Sequence, residues 1–188
     1  LAINIGGITS AAERCALENC HNSGNITVNQ NKANMFKGIM AVGGVASGAA
    51  AAAQLVTMSN CTNTGAVTVN ASAVTFPVFV GGVYAKHYNH SSAVPVVVIA
   101  DENGVGVANS GAVSLIANSE TEGILASVGG VFGYSNLPLV SGESVWTGSV
   151  VNSGAVSLTS GASPAYIGGI FGYTLNALSD KATYTNSG

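Results

Sequence analysis

Asn152-Ser153-Gly154-Ala155-Val156-Ser157-Leu158 is followed, ten residues on, by Gly168-Gly169-Ile170-Phe171-Gly172. Both marks recur along the whole chain. Asn-Ser/Thr-Gly begins at Asn22, Asn63, Asn109, Asn152 and Asn186, and a Gly-Gly pair begins at Gly6, Gly43, Gly81, Gly129 and Gly168. The two alternate without a miss, and successive Asn marks lie 41, 46, 43 and 34 residues apart. A fixed pair of marks at a period of this size is the signature of a repeat architecture.

Aligned on the Asn, Ile26, Val67, Val113 and Val156 form one column, and Val28, Val69, Leu115 and Leu158 form another. Between them stand Thr27, Thr68, Ser114 and Ser157. This alternation of period two, rich in β-branched residues, predicts a half-buried strand with the hydroxyl column facing out. Aligned on Gly-Gly, Ile5, Val42, Val80, Val128 and Ile167 precede the pair, and Ile8, Val45, Val83, Val131 and Ile170 follow it. A second short strand fits there, bent or closely approached at its glycines. A third, more variable strand is predicted within 16–20, 55–61, 96–107, 145–150 and 182–184. The Asn-Ser/Thr-Gly after it reads as a turn, because Asn and Gly tolerate positive φ.

The expected fold is therefore all-β: a parallel β-solenoid (β-helix) of about five coils with three short strands each, forming a single domain over residues 1–188. A conventional β-sandwich does not explain why Asn and Gly-Gly keep the same phase. Coil length varies between the first glycine and the next Asn, at 16, 20, 28, 23 and 18 residues, so insertions should form loops on one side. Lys86–Ser92 is expected as the polar part of the longest loop. The chain opens almost at a Gly-Gly mark and stops at Asn186-Ser187-Gly188, so both ends look like cuts through a repeat. The expectation is a segment of a longer array, or copies stacking end to end into a filament; loops at 11–15 and 175–181 capping the ends are the alternative.

Only 7% of residues are charged and the net charge is −3, with no Lys/Arg cluster, which excludes electrostatic recognition of nucleic acid. Solubility rests on Ser, Thr and Asn. The uncharged stretch 38–58, with Gly44-x-x-x-Gly48, has the length of a membrane span. It also holds a Gly-Gly unit in phase with the others, so no membrane insertion is expected; 49–53 reads as a short helical turn. Cys15, Cys20 and Cys61 fit neither a small disulfide scaffold nor a zinc pair. Cys20 and Cys61 hold the same place in consecutive copies, about 4.8 Å apart if the coils stack. Buried, reduced thiols are expected, with Cys20–Cys61 and Cys15–Cys20 as the alternative bridges.

The five motif asparagines, Asn22, Asn63, Asn109, Asn152 and Asn186, are expected to form a structural ladder of side-chain amides. The Gly-Gly-Val-Phe-Gly stretch lacks the Lys-Ser/Thr of a phosphate loop. His87 and His90 with Asp101 and Glu102 read as a solvated loop rather than a metal site. Glu120 and Glu122 read as a loop edge rather than an acid–base pair. Two Asp and five basic residues, all scattered, do not make the clustered face of a carbohydrate-processing β-helix enzyme. Sequons at Asn25, Asn60, Asn70 and Asn89 are frequent by chance in so Asn- and Thr-rich a chain. No catalytic, metal or cofactor site is expected.

The Asn-Cys-Thr-Asn-Thr-Gly-Ala-Val and Val/Ile-Gly-Gly-Ile/Val-Phe-Gly-Tyr marks resemble the glycine-rich, GLUG-type repeats of bacterial surface and adhesin-like proteins, over nearly the whole chain. The resemblance implies a secreted or surface-displayed β-solenoid and carries no catalytic residues. The function expected is a non-catalytic structural or adhesive element, a stiff spacer or packing surface outside the cell. Its partners would be further copies of itself or adjoining repeats. The alternatives are a carbohydrate-processing β-helix enzyme, and a glycan- or ice-binding face made by Thr27, Thr68, Ser114 and Ser157.

Overall fold

The computed structural model describes residues 2–12, 15–30, 38–48, 56–87, 96–117, 122–135, 146–161, 163–174, 178 and 181–188. Among these residues the protein is all-β, without a helix, and every strand pairing is parallel. Five sheets are formed. A Gly-Gly sheet holds Ala2–Gly6, Ile39–Gly43, Val78–Gly81, Glu122–Gly129 and Ser163–Gly168, in that order. An aromatic sheet holds Ala46–Gly48, Tyr84–His87, Phe132–Ser135 and Phe171–Thr174. A short sheet holds Cys15–Glu18, Val56–Ser59 and Val96–Val98. An Asn sheet holds His21–Asn22, Cys61–Asn63, Val107–Asn109, Val150–Asn152 and Tyr184–Asn186. A hydroxyl sheet holds Ile26–Asn29, Val67–Ala71, Val113–Ala117 and Val156–Ser160.

Each strand is flanked by the equivalent strands of the neighbouring repeats. Val67 pairs with Ile26 and Val113, and Val113 with Val156, so the column read from sequence is a physical one. The motif asparagines and the first glycines align in the same way.

Repeats contribute to five sheets rather than to the three strands expected. The chain bends at the Gly-Gly pair, so the segment read there as one strand becomes two. The variable third strand is also broken. Asn19 and Asn60 sit at φ 53° and 47°, and each divides a short-sheet strand from an Asn-sheet strand. Asn is among the few side-chain-bearing residues that enter this left-handed region at modest cost. In the next repeat Val96–Val98 and Val107–Asn109 are separated by a turn in which Gly104 has φ 80°. The Asn-Ser/Thr-Gly mark does not use positive φ: none of its residues is among the positive-φ positions, and each Asn closes a strand.

The interior is divided in two. One core lies between the Gly-Gly and hydroxyl sheets and includes Val42, Val67, Val80, Val113, Leu115 and Val128. The other gathers Val45, Met58, Tyr84, Val107, Phe132 and Trp146 from the aromatic, short and Asn sheets and the adjoining chain. Phe132 stacks on Phe171 at 5.3 Å between ring centroids, and Tyr134 on Tyr173 at 4.9 Å. Such ladder-neighbour ring pairs add roughly 0.5–1.5 kcal/mol beyond their burial.

Lys86 and His87 were expected in a loop but belong to the strand Tyr84–His87, where Lys86 is 7% exposed. Tyr84 anchors that strand in the second core and draws its neighbours into the ladder. No described helix is long and apolar enough to cross a membrane; within the suspected span, residues 39–43, 46–48 and 56–58 are strand and 44–45 a bend. The expected helical turn at 49–53, the loop at 88–92 with Asn89 and His90, Glu120, residues 13 and 14 of one capping segment and most of the other at 175–181 lie outside the described residues.

Candidate functional site

Between the two cores run the motif asparagines. Asn22 Nδ2 donates to Asn63 Oδ1 (2.7 Å), Asn63 to Asn109 (2.8 Å), Asn109 to Asn152 (2.9 Å) and Asn152 to Asn186 (2.8 Å). Each of the first four also donates through Nδ2 to the carbonyl of its own motif glycine, at Gly24, Gly65, Gly111 and Gly154. Asn63, Asn109 and Asn152 are fully buried. Each buried amide thus spends both donors and its acceptor inside the protein, which is what makes burial of a polar group tolerable.

Every rung reaches across the interior to the second glycine of the Gly-Gly pair in its own repeat. A Cβ placed at Gly7, Gly44, Gly82, Gly130 or Gly169 would run into the amide of Asn22, Asn63, Asn109, Asn152 or Asn186 respectively. This is why the two marks keep phase: the Asn needs an opposing wall with no side chain. The motif glycines Gly65, Gly111 and Gly154 are excluded from larger residues for a related reason. A Cβ there would overlap the carbonyl oxygen of the preceding motif glycine. Their role is close stacking rather than unusual φ.

Outward from the ladder, inside-out alternation runs unbroken through the mark and into the hydroxyl sheet. Asn63, Gly65, Val67, Val69 and Ala71 are buried, whereas Thr64 and Thr68 are exposed and Ala66 and Asn70 half-buried. The next repeat does the same, with Ser110 exposed, Ser114 half-buried and Ile116 exposed. Thr27, Thr68, Ser114 and Ser157 therefore stand in register on the outer face. A second hydroxyl row was missed in the sequence: Ser23, Thr64, Ser110, Ser153 and Ser187, all exposed, each at the middle of a mark read only as a turn. The backbone holds this row in step, since the amides of Thr64, Ser110, Ser153 and Ser187 donate to the carbonyls of Asn22, Asn63, Asn109 and Asn152 at 2.8–2.9 Å. With strands about 4.8 Å apart and alternate residues about 6.6 Å apart along a strand, the face is a regular net. It carries no charge across residues 23–29, 64–70, 110–116 and 153–159.

No described cluster of His, Cys, Asp and Glu is disposed to hold a metal ion. Asp101 and Glu102 lie in a hollow of about 330 Å³ with Glu18, Asn19 and Ser59. Within it, Asp101 Oδ1 accepts from the amides of Asn103 (2.8 Å) and Val105 (2.7 Å), closing its own turn. Asn60 Nδ2 donates to Asn19 Oδ1 at 2.7 Å, a short second rung pair that spacing alone did not reveal. The described cysteines form no disulfide; Cys61 is buried as expected, while Cys15 and Cys20 are only half-buried.

No family model, no curated protein and no solved structure matches the chain.

Proposed function

We propose that the chain is a five-coil stretch of a parallel β-solenoid that works without catalysis, as a stiff structural and adhesive element at a cell surface. The five sheets are then the sides of one coil stack, and the GLUG-type likeness of the repeat marks belongs to the same reading. The observation that carries it is the registered, uncharged hydroxyl net, backed by an unbroken amide ladder across all five marks. A face of hydroxyl and amide groups, held in register by the backbone beneath, meets an extended glycan with little ordering cost on the protein side.

A second reading has one observation in its favour. The hollow beside Glu18, Asp101 and Glu102 gathers three carboxylates, the feature a carbohydrate-processing enzyme would need. Against it, the described lining holds no arginine, lysine or aromatic ring to seat a sugar, and Asp101 is engaged in its turn.

One experiment separates the two: co-sedimentation with insoluble cellulose and chitin, together with assay of released reducing sugar. The adhesive reading expects the protein in the pellet, its loss from the pellet for Thr68→Glu/Ser114→Glu, and no sugar release. Failure to bind either polymer removes the adhesive role. Sugar release that Glu18→Gln or Glu102→Gln abolishes establishes the enzyme.

A further inference from the structure

Cys20 and Cys61 occupy equivalent places one repeat apart. Their successors His21 and Thr62 are register partners, and the amide of Thr62 donates to the carbonyl of Cys20 at 2.9 Å. Parallel neighbours in register lie about 4.8 Å apart, inside the 4.4–6.8 Å Cα range of disulfides. The side chains point the same way. Cys61 belongs to the second core and Cys20 packs against that core. Each thiol is directed at the carbonyl two residues before it, Cys20 at Glu18 (3.6 Å) and Cys61 at Ser59 (3.4 Å), and Glu18 and Ser59 are themselves register partners. Cys61 Sγ also donates to the carbonyl of Leu17, at 3.1 Å, in the repeat that holds Cys20.

We propose that Cys20 and Cys61 are an oxidation site that locks the first two repeats together by a disulfide. The two thiols differ in a way that sets the order of events. Cys20 is half-buried and reaches solvent; Cys61 is buried, and burial pushes its thiol up to about 11. With a small disulfide oxidant such as glutathione disulfide, the Cys20 thiolate attacks one sulfur of the oxidant. A mixed disulfide forms and one glutathione thiolate leaves. Cys61, on losing its proton, attacks Cys20 Sγ, forming the Cys20–Cys61 bond and expelling the second glutathione. The two protein thiols give up two protons and two electrons, and the glutathione disulfide takes up both electrons. Cys61 has little thiolate near neutral pH, so the second step is the slow one.

Cys15 is not part of the pair. Its register partner is Val56, and three strand steps of about 3.3 Å separate it from Glu18 before the chain turns at Asn19. The lock closes a loop of some 40 residues, and so constrains the unfolded chain.

The test is oxidation of the folded chain with glutathione disulfide at pH 8.5, followed by thiol titration in denaturant and peptide mapping. The expected result is a fall from three thiols to one, a linked peptide pair containing Cys20 and Cys61, and a higher thermal midpoint than the reduced chain. Cys15→Ser should keep the cross-link. Cys20→Ser, at the more exposed position, should lose it and stay reduced at Cys61. Three thiols after oxidation, a persistent mixed disulfide on Cys20, or a link that includes Cys15 would each overturn the proposal.

Discussion

Asn63 donates to Asn109 across 2.8 Å in the middle of the protein, and a side chain on Gly44 or Gly82 would occupy the space of these two amides. The ladder and the glycine wall are one device. Asn109→Ala removes the acceptor for Asn63 and the donor for both Asn152 and the Gly111 carbonyl. Two buried acceptors are left without that donor, each costing about 1–3 kcal/mol. Urea denaturation should show a loss of about 2–6 kcal/mol; a loss under about 0.5 kcal/mol would mean the ladder is incidental.

Glycines should divide by surroundings rather than by φ. Gly82→Ala would press its methyl into Gly130 and Asn109, with backbone on one side and the ladder on the other. Gly104 has φ 80° but nothing within 4 Å of an added Cβ, so Gly104→Ala meets only the left-handed penalty of about 1–2 kcal/mol. Circular dichroism melts should find Gly104→Ala folded and Gly82→Ala unfolded or lowered several times further.

Lys86 gives a pH signature. Burial in the strand Tyr84–His87 lowers its pKa from the usual 10.5, because the charged form is desolvated. The unfolded chain binds the proton more tightly, so stability rises as pH climbs from the folded value toward 10.5. Cys61 acts with the opposite sign: raised from 9.0 to about 11, it makes stability fall over that interval. Subtracting the profile of Lys86→Met between pH 7 and pH 11 cancels the thiol. The difference should show the variant gaining at pH 7 and the advantage shrinking as pH rises. A flat difference would contradict the burial of Lys86 in its charged form.

The architecture was legible where a residue type was forced by its neighbours in adjacent repeats. Val67 and Val113 recur because both fill one core column, and Asn63 and Gly44 because one presses on the other. The sheet count was not legible. The bend at Gly43-Gly44 leaves Val42 and Val45 looking like one strand, and Asn19 and Asn60 break theirs by a local φ without a repeated signal in later copies. The outer row of Ser23, Thr64 and Ser110 is hidden in the sequence because Asn-Ser/Thr-Gly signals a turn through its backbone and does not say where the hydroxyl faces. Lys86 reads as loop in the sequence because its charge and the polar stretch after it mask the Tyr84 column that holds it in a strand.

The two faces of the hydroxyl sheet should respond differently to substitution. Val113 is buried between Val67 and Val156, so Val113→Ala should cost about 1.5–3 kcal/mol, and Val113→Asp should prevent folding by burying an unpaired charge. Thr68→Val, on the exposed face one residue on from Val67, should leave the denaturation midpoint within error. Equal losses at both positions would show that this sheet has no solvent face.

The central claim is that equivalent residues of successive repeats stand side by side in parallel strands. Amide–amide nuclear Overhauser effects in the deuterated, ¹⁵N-labelled chain test it most directly. Thr68 should show cross-peaks linking it to the Ser114 strand, and Ser114 to the Ser157 strand, at strand separations of about 4.8 Å. Thr68 and Ser157, two strands and about 9.6 Å apart, should show none. An antiparallel pattern, or contacts from Thr68 to a strand other than those of Thr27 and Ser114, would contradict the stacking and the functional reading built on it.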